Sequence, residues 1–283
     1  MITDEFIRKD VIVPGLKNEY RILHITDSHI VMCNEKEGEY VIEGDGYWAG
    51  TKLIEFYNRR YDAFKVDGVP TAELFEKMCD ELAANPDCAD VIVFTGDILD
   101  FFSQTAFDFM KRNIDKLRTP YMFVIGNHDM IFSGLPREKV REIFTALTGE
   151  NPDLQKMKLG ELTLIGVFNG PYYYPEKSLN DLMGALEGED NVVLFQHVPL
   201  STKEFHKLSA DRGKPDWSIG GEGVCEGDGW KPVFAKVEEE NSPIKAIIAG
   251  DCHVEHESKL GNVTQYTSAL NARNAPYLYV IHS

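Results

Sequence analysis

Short runs of apolar residues alternate along the chain with longer segments in which apolar side chains recur every three or four positions. The runs are rich in β-branched residues and almost continuously apolar, as in strands that are covered on both faces. They predict strands at residues 20–26, 91–95, 121–125, 162–168, 192–196 and 244–249.

Helical periodicity occupies the segments between several of these strands. It predicts helices over residues 71–82, 136–147 and 179–186, and a further helix that Ser103 caps. Strands that alternate with helices predict an α/β layered fold. In open α/β sheets, ligands bind beyond the carboxyl ends of the strands. Those strand ends are therefore where functional residues are expected.

Two segments, residues 31–68 and 200–231, interrupt the alternation. Both are long, rich in Gly and acidic residues, and only weakly periodic. Loops of this length in a compact domain are usually functional or disordered. Each contains Gly-Asp-Gly before an aromatic residue, which fits either ordinary tight turns or cap loops over a site. In the second interpretation the loops present Tyr47, Trp48, Trp217 or Trp230 to a substrate. Without a recognisable linker, residues 1–283 are expected to form one domain.

Composition and charge narrow the class of protein. With 43% hydrophobic and 27% charged residues, the chain resembles an ordinary soluble globular protein. Its formal net charge of −17 disfavours binding to nucleic acid, because an acidic surface repels a phosphate backbone. No membrane-length apolar run and no signal-like amino terminus is present, and the five cysteines form no C-x-x-C pair. A cytoplasmic location with reduced thiols is expected.

Metal-ligand residues follow five of the predicted strands. The clusters are Asp27-Ser28-His29, Gly96-Asp97, Gly126-Asn127-His128-Asp129, His197 and Gly250-Asp251-Cys252-His253. A divalent cation needs several carboxylate, amide or imidazole ligands that converge from different parts of a fold. Asp-x-His supplies two of them if its segment is extended, because residues two apart then point the same way. Together the five clusters predict a site for two metal ions.

In this order and spacing, the clusters resemble the pattern of the calcineurin-like metallophosphoesterases. That pattern is D-x-H, G-D, G-N-H-[DE], a lone His and G-H-x-H, and here it spans residues 27–253. The resemblance implies a four-layer α-β-β-α sandwich with loop insertions over a dinuclear site at one edge. The insertions would be residues 31–68 and 200–231.

The same resemblance implies roles for individual residues. Asp27, His29 and His253 would hold the first metal ion, Asn127 and His197 would hold the second, and Asp97 would bridge them. His128 would lie near the leaving group of the substrate. Apart from the resemblance, His128 could protonate the leaving alkoxide, with Asp129 as a candidate orienting partner.

Asp251 is the one departure from the family pattern, since a histidine usually ligates the second metal ion there. An aspartate either coordinates through a hard oxygen or is too short to reach. We expect coordination, which favours Mn²⁺ or Fe over Mg²⁺, Zn²⁺ or Ni²⁺.

The resulting functional hypothesis is a metal-dependent phosphoesterase that hydrolyses a small phosphomonoester or phosphodiester, such as a nucleotide or cyclic nucleotide. Two metal ions would activate a bridging hydroxide for direct attack on phosphorus. A nuclease of the same fold or a non-catalytic scaffold are the alternatives. The negative charge opposes the first and the intact ligand set opposes the second.

Several further residues are weaker candidates. Asn169, Trp48 and His206 are candidates for substrate contact, and Asp100 for supporting a metal ligand. Arg137 and Arg212 are basic residues that could meet a phosphate, although simple solvent exposure explains them equally well.

Overall fold

The structure is a computed structural model that describes residues 6–43, 48–130, 133–224, 227–271 and 275–283. Its strands are β1 (Ile7–Ile12), β2 (Tyr20–Ile25), β3 (Lys65–Val66), β4 (Val69–Pro70), β5 (Val91–Phe94), β6 (Tyr121–Phe123), β7 (Leu154–Leu159), β8 (Leu162–Val167), β9 (Val192–Gln196), β10 (Ile244–Ala249), β11 (His256–Leu260), β12 (Val263–Thr267) and β13 (Tyr277–His282). Its α-helices are α1 (Glu35–Gly38), α2 (Leu53–Ala63), α3 (Thr71–Ala84), α4 (Gln104–Ile114), α5 (Arg137–Thr148), α6 (Glu176–Leu186), α7 (Lys203–Asp211) and α8 (Lys231–Glu238).

Two large mixed sheets form the centre of the fold. The first has the strand order β1-β13-β2-β5-β6, and the second has the order β11-β12-β10-β9-β8-β7. Within the first sheet β2, β5 and β6 are parallel neighbours, and within the second β8, β9 and β10 are parallel neighbours. The carboxyl ends of the neighbours within each sheet therefore lie at the same edge of that sheet.

Alternating side chains explain why the central strands are apolar throughout. Along β5, Val91 and Val93 belong to a core shared with the second sheet, whereas Ile92 and Phe94 pack with helices. In β9 the same alternation places Val193 between the sheets. Each central strand is thus buried on both faces, as its composition predicts.

Helices cover the outer face of each sheet. Helices α3, α4 and α5 pack on the first sheet, with Phe75, Met110 and Phe144 in their shared core. Helices α6 and α8 pack on the second sheet through residues that include Leu182 and Val233. The layers run helix, sheet, sheet, helix, which confirms the predicted four-layer fold class.

The predicted strands and helices agree best with the observed ones where the side chains are completely buried. The predicted strands at 192–196 and 244–249 match β9 and β10 residue for residue, and Ser103 caps α4 by accepting a hydrogen bond from the Ala106 N–H. Several edge strands, including β1, β7 and β11, were not predicted. Their burial alternates with exposure, so their apolar signal is weaker.

The two segments expected to be loops contain helices. Residues 31–68 include α1 and α2, and residues 200–231 include α7. Helix α2 buries only Leu53 and Phe56 fully, and α7 buries only Phe205 and Ser209. With so few buried apolar residues, the helical periodicity of the sequence is weak, and these helices were therefore not predicted.

Within the described residues, no helix is both long enough and apolar enough to cross a membrane.

Candidate metal centre

The predicted ligands of the first metal ion lie together. The Nε2 atoms of His29 and His253 are 3.1 Å apart. The Oδ1 atom of Asp27 is 3.2 Å from the His253 Nε2 and 3.9 Å from the His29 Nε2. Three ligand atoms from the ends of two strands, one in each sheet, therefore face a common point. We call this group the first cluster.

A second group surrounds the imidazole of His197. Its Nε2 atom is 2.8 Å from Asn127 Oδ1, 3.2 Å from Asp97 Oδ1 and 3.4 Å from Asp251 Oδ1. These residues follow four different strands, β5, β6, β9 and β10. We call this group the second cluster.

Asp97 connects the two clusters through its two carboxylate oxygens. Its Oδ1 atom lies 3.2 Å from the His197 Nε2 in the second cluster, and its Oδ2 atom lies 4.0 Å from the His29 Nε2 in the first. A carboxylate with one oxygen directed at each cluster has the arrangement of a bridging ligand.

An unsatisfied buried oxygen indicates that the first cluster suits a cation. Asp27 is fully buried, and its Oδ1 atom has no hydrogen-bond partner. Leaving a buried acceptor unpaired costs about 1–3 kcal/mol, and more for a charged group. A metal ion coordinated by this oxygen and the two imidazoles would remove that cost. The donor set of carboxylates, imidazoles and an amide also fits a divalent cation.

Hydrogen bonds at Nδ1 direct the Nε2 atoms of two histidines into the centre. The Nδ1 of His197 donates to the backbone carbonyl of Thr95 at 2.6 Å. The Nδ1 of His29 lies 2.9 Å from the carboxylate of Asp100. Such partners fix the tautomer and ring orientation of metal-binding histidines. In both residues Nε2 is consequently the nitrogen that is directed toward the candidate metal centre.

Five of the candidate ligands have a left-handed backbone. Their φ angles are 53° for Asp27, 47° for His29, 49° for Asp97, 63° for Asp251 and 51° for His253. The extended geometry expected for Asp-x-His is therefore wrong, since both of its candidate ligands have a left-handed backbone. Left-handed residues other than glycine are strained and persist where the surroundings hold them, commonly at functional sites.

Glycines let the strand ends approach each other. A Cβ atom at Gly126 would collide with the backbone and carboxylate of Asp97, and one at Gly250 would collide with Thr26. Both glycines immediately precede candidate ligands. They are required for the close approach of neighbouring loops.

Opposite charges offset the cost of burying this centre. Burial favours a neutral Asp97, but His197 and other nearby histidines hold the pKa of Asp97 well below its usual range. Burial likewise opposes a charge on His197, yet Asp97 and Asp251 raise the pKa of that imidazole well above its usual value. Carboxylates and imidazoles at these distances stabilise each other electrostatically.

Asp100 supports two histidines at once. Its side chain bonds to His29, and its backbone carbonyl accepts from the Nδ1 of His128 at 2.7 Å. Arg60 of α2 holds the carboxylate with two hydrogen bonds of 2.7 and 2.6 Å. Burial opposes ionisation of Asp100, but Arg60 and His29 lower its pKa to about 2. The supporting role expected of Asp100 agrees with these contacts.

Arg60 and Phe64 are supporting residues that sequence reasoning missed. The ring of Phe64 stacks on His29 with centroids 4.5 Å apart, and the Arg60 guanidinium lies 4.6 Å from the centre of the Phe64 ring. Both residues belong to the segment expected to be a loop. A single arginine in a charged helix carries no motif, so only the fold reveals its role.

Asp129 has a different role from the predicted one. It was expected to orient His128, but its carboxylate accepts hydrogen bonds from the backbone N–H groups of Asp97, Leu99 and Gly126 at 2.8–3.0 Å. Asp129 thereby ties the Asp97 turn to the Asn127 turn. Orientation of His128 falls instead to the carbonyl of Asp100.

The profile of the calcineurin-like phosphoesterases matches residues 20–255, which is most of the chain. The chain belongs to this family. Membership confirms the family predicted from the motifs and, at that level, the predicted class of phosphoric ester hydrolase. By sequence, the chain matches no curated protein.

Two solved structures are similar to this chain at low sequence identity. A purple acid phosphatase from yellow lupin (Lupinus luteus) seeds is 12% identical with a TM-score of 0.53, and the match covers 94% of this chain and 46% of that one. The chain thus spans about half the length of the lupin protein. A phosphopantetheinyl hydrolase from Mycobacterium tuberculosis is 11% identical with a TM-score of 0.46, covering 91% of this chain and 94% of that one. The lupin likeness bears on the fold alone.

Asp251, the departure from the family pattern, reaches the second cluster. Its side chain is 4% exposed, and its Oδ1 atom also accepts a hydrogen bond from the Tyr172 hydroxyl at 2.9 Å. Of the two alternatives for Asp251, the position of this oxygen supports coordination.

The three candidates for substrate contact make other contacts in the structure. Asn169 is fully buried, and its amide holds the backbone of His197 and Val198. Trp48 packs on Phe56 in the cluster around α2. His206 contacts Asp216 and Glu222. These contacts give a structural explanation for all three residues. Tyr47 lies outside the described residues.

A cleft of about 480 Å³ opens from the second cluster. The buried Asp97 and the partly exposed Asn127 and His128 contribute to its lining. Exposed residues of the 200–231 segment, including Arg212 and Trp217, also line it, and we call their part of the cleft its outer end. A cleft of this size accommodates a small molecule. We refer to it below as the active-site cleft.

The contact between Arg60 and Asp100 predicts an effect on metal affinity. Replacing Arg60 with Met should weaken Mn²⁺ binding about tenfold to a hundredfold, because Asp100, the hydrogen-bond partner of His29, is then no longer held in place. Titration calorimetry measures this directly. Arg59→Met is the matched control, since that guanidinium lies over Trp48 and away from the centre. Unchanged affinity in Arg60→Met would contradict the supporting role.

The position of Asp251 predicts the stoichiometry of binding. Asp251→Ala should lower the bound Mn²⁺ from two ions per chain to one, because the second cluster loses a charged ligand. Asp251→His, the residue usual in the family, should restore the second ion and shift its preference toward Zn²⁺. Elemental analysis after dialysis measures both, with the exposed Asp228→Ala as control. Two tightly bound ions in Asp251→Ala would refute the assignment.

Proposed function

We propose that the protein is a dinuclear-metal-dependent hydrolase of a small phosphomonoester or phosphodiester. The observation that supports this most is the division of the two Asp97 oxygens between the two clusters. Asp27, His29 and His253 would hold the first ion, and Asn127, His197 and Asp251 the second.

The bound ions would supply a nucleophile from water and neutralise charge on the phosphoryl oxygens. The chain contributes the remaining functions. Three carboxylates and three imidazoles would fix where the phosphate lies. Because the second cluster includes the hard oxygens of Asp97, Asn127 and Asp251, Mn²⁺ or Fe is the favoured occupant.

His128 is suited to protonate the leaving group. Its Nδ1 donates to the Asp100 carbonyl at 2.7 Å, which orients the imidazole, and we assign Nε2 as the atom that holds and releases the catalytic proton. Its backbone N–H donates to Asp97 Oδ1 at 2.7 Å, which keeps the residue beside the bridging carboxylate. The side chain is 20% exposed and lines the active-site cleft, as access to a substrate requires.

A small substrate is favoured over a polymer. The net charge of −17 opposes a nucleic-acid backbone, and the cleft of about 480 Å³ is the size of a small-molecule site. We further propose that residues 31–68 and 200–231 are cap regions. Phe64 of the first covers His29, and Trp217 of the second lines the cleft.

Hydrolysis of p-nitrophenyl phosphate and bis-p-nitrophenyl phosphate with Mn²⁺ tests the proposal. Wild-type protein should turn over at least one of them, and Asp97→Ala should abolish turnover because both clusters lose their shared ligand. Asp108→Ala, an exposed carboxylate on α4, is the control. Failure of both substrates with Mn²⁺, Fe²⁺, Mg²⁺, Zn²⁺ and Ni²⁺ would overturn the function. Retained activity in Asp97→Ala would overturn the bridging role.

The role of His128 predicts a dependence on the leaving group. His128→Asn should lower kcat by about 10²–10⁴ for an alkyl phosphate such as glycerol phosphate, because an alkoxide needs a proton to depart. The loss should be much smaller for p-nitrophenyl phosphate, whose leaving group is stable as an anion. Steady-state kinetics on both substrates decides. Equal losses would assign His128 to positioning instead.

A further inference from the structure

The outer end of the active-site cleft carries two positive charges in a strongly acidic chain. The sequence has 46 acidic and 29 basic residues, so acidic partners are in excess. Even so, Arg212 and Lys214 form no ion pair with any residue in the described part of the chain. Nearby acids are already engaged, since Asp211 pairs with Lys207, and Asp216 and Glu222 contact His206.

The path of the chain places both cations at the cleft. Helix α7 ends at Asp211, Arg212 is its C-cap, and Gly213 has a φ of 63°. This left-handed glycine turns the chain, and the Lys214 N–H bonds back to the carbonyl of Ser209. The fold thus fixes the backbone from which both flexible side chains extend.

An exposed indole lines the same cleft as these cations and the candidate metal ligands. Trp217 is 43% exposed, so its ring is accessible to a ligand. Its ring centroid is 5.4 Å from that of Tyr172, whose hydroxyl bonds to Asp251. The Trp217 carbonyl accepts a hydrogen bond from the Cys252 thiol at 2.9 Å. The indole is therefore held one aromatic ring away from a candidate ligand.

We propose that this outer end is a subsite for the leaving group of a nucleotide-like substrate. Trp217 stacks on a nucleobase, and Arg212 with Lys214 binds a second phosphate. The inference rests on the proposed function, because it places the scissile phosphate at the metal centre. It narrows the substrate class to nucleoside phosphates with phosphates at two positions.

Physical reasons support each part of the subsite. A guanidinium binds phosphate through two parallel hydrogen bonds, and an ammonium adds a point charge. Base–aromatic stacking contributes about 1–3 kcal/mol and tolerates any base. In the reaction, a water oxygen forms the new bond to phosphorus and the phosphorus–oxygen bond to ribose breaks. The ribose oxygen takes a proton, so no other reactant is needed.

Adenosine 3′,5′-bisphosphate is the probe, with 3′-AMP and 5′-AMP as comparisons that lack one phosphate. Wild-type protein with Mn²⁺ should show a kcat/KM for the bisphosphate at least about tenfold above that for either monophosphate, as one charge-assisted contact predicts. The double variant Arg212→Gln/Lys214→Gln should remove this preference by raising KM, with kcat nearly unchanged. Its kcat/KM for p-nitrophenyl phosphate should fall much less than that for the bisphosphate, because p-nitrophenyl phosphate has no second phosphate.

Two further variants separate the contributions. Trp217→Leu should raise KM about tenfold for all three nucleotides, as loss of stacking predicts, and leave glycerol phosphate unaffected. Lys203→Gln is the matched control, since Lys203 is an exposed cation on α7 that does not line the cleft. Circular dichroism confirms that each variant is folded.

The outcomes distinguish this inference from the function on which it rests. If p-nitrophenyl phosphate is hydrolysed but the bisphosphate is not preferred, the subsite is wrong and the hydrolase remains. A preference that survives in Arg212→Gln/Lys214→Gln also overturns the subsite. If no phosphate ester is hydrolysed with any metal, the proposed function itself fails.

Discussion

The constraint on which the rest of the structure depends is the burial of three carboxylates at the seam between two sheets. Asp27, Asp97 and Asp251 are almost completely shielded from water, where an uncompensated charge is costly. Imidazole nitrogens 3.2–3.4 Å away offset part of that cost, and a pair of bound cations would offset more. Several features hold these carboxylates in place. They are the left-handed backbone of the three residues, the glycines that allow close approach, and the hydrogen bonds from backbone N–H groups to the carboxylate of Asp129.

A second level of organisation sets the direction of the histidines. Asp100 bonds to His29 through its side chain and to His128 through its carbonyl, so one residue aligns a candidate ligand with a candidate proton donor. Arg60 secures Asp100 from a helix that lies outside the core sheets. The proposed cap region of residues 31–68 is therefore part of the catalytic site that we propose. Changes in α2 would affect the metal centre through the two hydrogen bonds between Arg60 and Asp100.

Much of this could be predicted from the sequence, and the exceptions have physical causes. Strands β9 and β10, which are buried on both faces, were predicted residue for residue, although the central strand β13 was not. The clusters at the ends of the predicted strands belong to a motif of known order. Asp129 was misassigned because adjacency in sequence suggested a partner, whereas the turn aims its carboxylate at backbone amides. Arg60 and Phe64 were missed because α2 buries few apolar residues. Contacts between residues that are far apart in the chain produce no local sequence pattern from which they could be predicted.

The central claim is that the two oxygens of Asp97 join two metal ions into one site. Electron paramagnetic resonance of the Mn²⁺-loaded protein tests it most directly, because two ions that share a carboxylate are magnetically coupled. We predict a coupled-pair spectrum in wild-type protein that Asp97→Ala converts to the signal of isolated Mn²⁺. An isolated-ion spectrum in fully loaded wild-type protein would contradict the account.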